Sequence, residues 1–589
     1  MAVEKLIVDH IDTWTTARQT RSTTGRGSSG KIDLYGIKKL RELILELAVR
    51  GKLVPQDPND EPASVLLERI AAEKAELMKQ GKIKKQKPLP EISEEEKPFE
   101  LPVGWEWTRL INLGTWALGS GFPNVVQGNS DKEILMCKVS DMNLEGNEKF
   151  IVSTINTISK DLADEYKIKT SEPGTIIFPK IGGAIATNKR RILVQETAID
   201  NNCLGIKPCN AISGEWFYLI LSALDMSKYQ SGTSIPAINQ SVIGSIPIAL
   251  PSLKMQEKIL SYVITLMSLC DQLELHSLTS LDAHQQLVET LLTTLTDSQN
   301  ADQLAENWSR ISEHFDTLFT TEASIDALKQ TILQLAVMGK LVPQDPNDEP
   351  ASELLKRIAQ EKAQLVKDGK MKKQKPLPPI SDEEKPFELP DGWEWVKLGN
   401  ILHDIKYGTS QKCDYNISGY PVLRIPNIVK GIIDLADIKY GALTDSELKD
   451  LTLNKNDLLF IRSNGSTNIV GQSTLVQHDL KDHAYAGYII RVRLHNEYIN
   501  ARYINMVMKS NLIREQIEGP IRTTTGVKNI NSNELMGLLV PLPPKNEQGI
   551  IIKKINEIDT TLSNLKVSIQ SAQQTQVHLA DALTDAAIN

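Results

Sequence analysis

Near the C-terminal end of the chain, apolar residues recur at Ile551, Ile555, Ile558, Leu562, Leu565, Ile569, Ala572, Leu579, Leu583 and Ala586, in steps of four and three with one polar interruption at Gln576. That spacing lays one stripe along a helix about 54 Å long at 1.5 Å per residue, a coiled-coil seam. A second long helix is expected over 256–297, less regular because Cys270, Ser277, Ser280 and His284 fall at the equivalent places. His284 there reads as a partly exposed seam residue rather than a ligand. Ile37, Leu40, Ile44 and Leu47 share one face of a helix in IKKLRELILELAV, and a further helix runs from Ala63 to Gln80, opened by Pro62 and closed by Gly81. Elsewhere GTIIFPKI, RRILV, DLLFIR and YIIRVRL read as strands, and WFYLILSALDM and ARYINMVMKS as helices, so 105–250 and 393–542 each read as an α/β globular segment.

The helical regions repeat. Residues 47–110 and 335–398 agree at 51 of 64 positions without a gap, and the fourteen residues GKLVPQDPNDEPAS stand unchanged at 51–64 and 339–352. Upstream, IVDHIDTW (7–14) matches ISEHFDTL (311–318); downstream, GTSIPAINQ (232–240) faces TTGVKNINS (524–532). The chain is two copies of one unit, an internal duplication with pseudo-twofold character. The reading divides it into a helical region and linker (1–104), a globular domain (105–250), a central helical region (251–392), a second globular domain (393–542) and a closing helix (543–589). The two long helices, related by the duplication, are expected to pair as an antiparallel coiled coil. The linker KIKKQKPLPEISEEEKPFELP reads as a solvated spacer, with Lys82, Lys84, Lys85 and Lys87 as the alternative, an arm on phosphates.

Within the globular segments only a framework survives: CKVSDM (137–142) faces LRIPNI (423–428) and GTIIFPKI faces NDLLFIRS (456–463). A basic residue thus follows two strand-like runs in each copy, Lys138 with Arg424 and Lys180 with Arg462. A chain that presents one surface twice and two other surfaces once each fits two identical partners docked on the repeats and two different halves of one target read by the domains.

Composition narrows the class. The 589 residues are 41% hydrophobic and 24% charged, the balance of a soluble globular protein. No apolar run is long enough to span a bilayer, and Glu4, Asp9 and Asp12 interrupt the N-terminal stretch where a signal peptide needs an apolar core, so no membrane partner and a cytoplasmic location are expected. The five cysteines fall at no zinc-ligand spacing and read as reduced and structural. The net charge of −8 argues against nucleic acid until it is located: 105–252 carries 13 Lys and Arg against 14 Asp and Glu, and 393–543 carries 17 against 15, so the acidity lies in the scaffold.

The doubled GWEW (104–107, 392–395), the closing signatures ALPSLKMQ (249–256) and PLPPKNEQ (541–548), the long helices and the two unlike domains between repeats resemble the specificity subunit of Type I restriction-modification enzymes, over essentially the whole chain. The resemblance implies two target recognition domains, each reading one half of a split sequence in double-stranded DNA. It also implies a scaffold for two methyltransferase (M) subunits, which use S-adenosylmethionine to methylate adenine at N6, and for two restriction/translocase (R) subunits dependent on ATP and Mg2+. Ala249 and Met255 depart from the Pro and Glu of the second closing signature, which puts the local turn in question.

The chain itself shows no catalytic or cofactor motif. GKL, GKI and GKM lack the hydroxyl residue of a phosphate-binding loop, no Asn/Asp-Pro-Pro-aromatic stretch occurs, and GSGFP (119–123) is the nearest imitation. The reading is therefore a non-enzymatic subunit without cofactor or metal. Candidate DNA-binding residues are Lys138, Lys180, Lys189, Arg190, Arg191 and Asn239 in the first domain, and Arg424, Arg462, Arg491, Arg493, Arg522, Lys528 and Asn531 in the second. Asn239 and Asn531 read equally well as turn residues bonding their own backbone. Trp105, Trp107, Trp393 and Trp395 read as anchors of the domain edge. Two other functions stay open: a nuclease built on the linker carboxylates around Glu94–Lys97 and Asp382–Lys385, and a protein-binding scaffold that does not touch DNA.

Overall fold

The computed structural model describes residues 3–20, 32–83, 89–232, 236–371, 375–519, 522–524 and 527–588. The chain divides into two units, one of Met1–Thr20, Ile32–Leu278 and Gln573–Asn589, the other of Arg21–Lys31 and Thr279–Ala572. Each long helix, Leu253–Thr296 and Lys545–Ile588, begins in the unit of its own copy and ends in the other.

In the first unit, helices Val3–Asp9 and Ile11–Thr16 break at His10 and lead to the amphipathic helix Tyr35–Val49, whose Ile37, Leu40, Leu43, Ile44 and Leu47 are buried. Arg41 on this helix bonds Asp271 and Glu274 of the first long helix, and Tyr35 donates to Asp581 of the second at 2.6 Å. The globular domain is closed by an antiparallel pair, Glu106–Arg109 with Pro247–Leu250. Its five-stranded sheet runs in the order Gly114–Leu118, Cys203–Pro208, Ile176–Pro179, Arg191–Leu193, Phe150–Ile151. A four-stranded sheet runs Asn156–Ile158, Ile134–Cys137, Thr197–Ile199, Thr170–Ser171. Helix Gly214–Ala223 buries Trp216, Phe217 and Ile220 in the core under the larger sheet.

The second unit repeats the plan. Helices Ala301–Glu313 and Phe315–Leu318 break at His314, and Glu322–Val337 takes the place of Tyr35–Val49. Glu394–Lys397 pairs with Leu539–Leu542, in the register that places Pro541 opposite Trp395 as Ala249 stands opposite Trp107. The closing turn is therefore the same in both copies despite the Ala249 and Met255 departures. Gln256 and Gln548 each donate to the carbonyl of the preceding signature proline at 3.1 Å, Pro251 and Pro543, and accept a domain N–H, from Ser213 and Asn500. The main sheet runs Leu402–Tyr407, Ile489–Leu494, Leu458–Ile461, Ser473–Leu475, strand for strand the first four of its counterpart. Helix Asn511–Glu518, which lies beyond the helix expected at ARYINMVMKS, buries Leu512, Ile513 and Ile517.

Two expectations need correction. The C-terminal seam holds only to Ile569: beyond it the buried positions are Val577, Ala580 and Thr584, while Leu579 is exposed. An α-helix turns every 3.6 residues, so a 3.5-residue stripe drifts around a straight helix, and the helix packs against Tyr35–Val49 on the drifted face. The linkers are not free spacers. Ser93 and Ser381 open single 3₁₀ turns closed by capping boxes with Glu96 and Glu384. Arg109 then holds the first turn through Glu96 at 2.6 Å and the carbonyls of Pro90 and Glu91, and Lys397 approaches Glu384 at 3.6 Å. Phe99 on Trp107 and Phe387 on Trp395, both with centroids 5.0 Å apart, complete the strap. Of the alternative phosphate arm, Lys84, Lys85 and Lys87 lie outside the described residues.

Candidate nucleic-acid interface

The two domains converge on one loop framework. In the first, Lys180 leaves the strand Ile176–Pro179 with its N–H on the Asn202 carbonyl (2.9 Å) and its carbonyl accepting from Ile238 (2.8 Å). In the second, Arg462 leaves Leu458–Ile461 with its N–H on the Tyr488 carbonyl (2.8 Å) and its carbonyl accepting from Ile530 (2.9 Å). Beside them, Ser120 donates to Ile199 and Thr409 to Tyr485, each after a glycine that admits no side chain. A Cβ on Gly119 would stand 1.8 Å from the Asp200 carbonyl oxygen, and one on Gly408 2.2 Å from that of Tyr485. The turns Asp200–Cys203 and Ala486–Ile489 are closed by equivalent hydrogen bonds of 3.0 and 2.9 Å. Lys180 and Arg462 are thus the same position in two differently furnished copies of one scaffold.

What each side chain then meets sorts the candidates. Arg190 is buried and belongs to the fold: its guanidinium donates to the Leu221, Leu224 and Lys189 carbonyls and lies over Phe178, and burial pushes its pKa down to about 10. Arg191 donates to the Arg190 and Met142 carbonyls, and Lys189 bonds Asn143. Arg491 is buried against Asp404 and the Thr452 carbonyl. Arg493 makes two bonds of 2.7 Å to the fully buried Asp457, which raise its pKa. Both are candidates by sequence for a basic face at DNA; the sheet turns them toward carboxylates that the sequence places far away. Asn239 and Asn531 resolve as helix caps: Asn239 accepts from Ser241 N–H at 2.9 Å, and Asn531 accepts from Asn533 and Glu534 in a capping box.

Lys138 bonds Gln127, Arg424 pairs with Asp437 at 3.2 Å, and Lys528 bonds Thr467. The backbone at Lys138 and Arg424 is again equivalent, each N–H capped by a buried side chain, Asp141 at 2.7 Å and Asn427 at 2.9 Å. The side chain of Arg522 lies outside the described residues. Lys180 has no side-chain partner among the described residues, and Arg462 has a ring rather than an acid: its guanidinium carbon sits 4.9 Å from the centroid of Tyr407. Sequence reading missed Tyr407 and Tyr488, which stand at matched places to Leu118 and Asn202 and so carry no shared signal.

The family model described as "Type I restriction modification DNA specificity domain" matches residues 129–282 and 390–573, once on each copy. The chain is 50% identical over 606 aligned residues to the Type I restriction enzyme EcoAI specificity subunit of Escherichia coli, covering all of both chains. The chain belongs to the Type I restriction-modification specificity subunits. It is also 48% identical to the EcoEI specificity subunit of Escherichia coli, again over the full length of both. Among solved structures it is similar to the HsdS subunit from Thermoanaerobacter tengcongensis, with a TM-score of 0.38 and 16% identity over 84% of this chain and 98% of that one. All five cysteines are free, and burial raises the thiol of Cys209 to about 11 and those of Cys137 and Cys203 further. Among the described residues no helix is long and apolar enough to cross a membrane.

Proposed function

We propose that 105–250 and 393–542 each read one half of a bipartite DNA target through the loops around Lys180 and Arg462. The repeated scaffold then holds two M subunits, and R subunits complete the restriction complex. The observation that carries this reading is the pairing itself: an equivalent backbone frame presents a lysine in one domain and an arginine in the other, neither tied to an acid among the described residues. Methyl transfer from S-adenosylmethionine and ATP- and Mg2+-dependent translocation belong to the partners, and this chain supplies position and sequence choice.

Two features support that division. The linker carboxylates, which a nuclease reading would recruit, are committed to the strap: Glu96 to Arg109 and Ser93, Glu384 to Ser381 and Lys397. The domains diverge in what their loops carry while keeping the bonds that hold those loops, as two readers of different sequences require. The test is to exchange 105–250 for the equivalent domain of a relative and map N6-methyladenine in DNA from cells expressing the chain with its M subunit. One half of the methylated sequence should change and the other should not; an unmoved pattern would sink the DNA-reading function in favour of a protein-only scaffold.

A further inference from the structure

Among the described residues, four arginines of the second domain pair with acids: Arg424 with Asp437, Arg491 with Asp404, Arg493 with Asp457 and Arg514 with Glu518. Arg462 is built differently. Its backbone is pinned on both sides, to Tyr488 and Ile530, and the following Ser463 and Asn464 pair as a strand with Asn529 and Lys528. The guanidinium lies over the face of Tyr407, and that ring is itself fixed, because its hydroxyl accepts the Ser532 N–H at 2.8 Å. The Nε of Arg462 is buried without a partner, as are those of Arg424 and Arg491, but its two terminal nitrogens are neither buried nor bonded among the described residues. A planar fork held on an aromatic face, its outer edge open, is the arrangement that meets two acceptors at once.

In the DNA major groove that edge matches O6 and N7 of guanine; a phosphate can accept the same fork, and the methylation maps below separate the two. The matched position in the first domain lacks the device. Lys180 is a point charge, and the strand register that places Tyr407 opposite Ile490 places Leu118 opposite Leu204. We infer that Arg462 reads a guanine in the half-site of the domain 393–542, with Tyr407 as its positioning residue. Arg462 is then a specificity determinant and not a general anchor. Tyr488, 64% exposed and bonded through its carbonyl to Arg462, stands next to it at the same edge.

This inference rests on the DNA-reading function proposed above, and one set of methylation maps separates their failures. The full chain, with Arg462→Lys, Arg462→Ala, Tyr407→Ala or Tyr407→Phe, is expressed with its M subunit, and the methylated motif is read from genomic DNA. Arg462→Lys and Arg462→Ala should make one G·C position degenerate in a single half, with discrimination there falling roughly 5- to 150-fold and the other half unchanged. Tyr407→Ala should relax that same position, and Tyr407→Phe, which keeps the ring, should restore most of it. Arg462→Lys keeps charge and length, so a folding defect in Arg462→Ala does not blunt the test. The inference falls if the half-site contains no G·C pair. It also falls if the Arg462 variants lower methylation at all sites without relaxing any position, the signature of a phosphate contact. If exchanging 393–542 as a whole moves the half-site while these variants leave it intact, only the role of Arg462 is lost; if the exchange moves nothing, the DNA-reading function is lost with it.

Discussion

Glu547 accepts the indole N–H of Trp393 at 3.0 Å, whereas in the other copy Met255 stands at that place and Trp105 donates to Gln56 at 2.8 Å. Gln344, the counterpart of Gln56, bonds the second oxygen of Glu547 at 3.2 Å. Burial raises the pKa of Glu547.

A swap test follows. Glu547→Met should cost ~1 kcal/mol or less, because Gln344 can turn its oxygen to the indole as Gln56 does. Glu547→Met with Gln344→Ala should cost about 1–3 kcal/mol more, since it strands a buried N–H. Urea unfolding of the singles and the double reads the coupling, and additive costs would refute the shared-acceptor account.

Gly51 and Gly81 form a natural control pair, both at φ +70°, but a Cβ on Gly51 would lie 2.6 Å from Pro102 and 2.9 Å from Trp105 while one on Gly81 meets nothing within 4 Å. Gly81→Ala should cost ~1–2 kcal/mol from the left-handed backbone alone. Gly51→Ala should cost about 1–3 kcal/mol beyond that from overpacking. Equal melting shifts would mean that the tryptophan does not lock the repeat loop.

The strap around Arg109 should be acid-labile. Arg109 holds the Glu96 carboxyl down at about 2 from its ordinary 4.5, so the contact stabilises fully above pH 4.5 and is lost as pH falls toward 2. Limited proteolysis across that window should show cleavage near Ser93 rising as pH drops. At neutral pH, Arg109→Ala should expose the linker more than Lys397→Ala does, because Lys397 makes the single longer contact.

His495 should make the second unit pH-sensitive. It is buried beside Glu361 and His403, and burial lowers its pKa although Glu361 pulls it up. A histidine that resists protonation in the fold loses stability as pH falls below its ordinary 6.5, where the unfolded chain takes up the proton. Cys209 stands at the matched place, its N–H on the Leu113 carbonyl as that of His495 is on Ile401. His495→Cys should flatten the melting temperature between pH 8 and 5.5; an unchanged slope would assign it elsewhere.

The duplication, the long helices, the strands at 176–179 and 458–461 and the equivalence of Lys180 with Arg462 are legible from the letters alone, because they rest on periodicity and recurrence. The exact repetition of GKLVPQDPNDEPAS pointed to a docking element used twice, and the structure adds a second role. That role is internal: Gly51 and Gln56 seat Trp105, and Lys52 donates to Ile588 at the end of one long helix as Lys340 donates to Thr296 at the end of the other. Those lysines meet the unpaired carbonyls and the negative dipole end of a helix far along the chain. Which basic residues are spent inside the fold depends on long-range packing, because the partners of Arg190, Arg491 and Arg493 arrive from distant strands and loops. The same long-range closure set Tyr407 beneath Arg462, a neighbour 55 positions away that no local pattern announces.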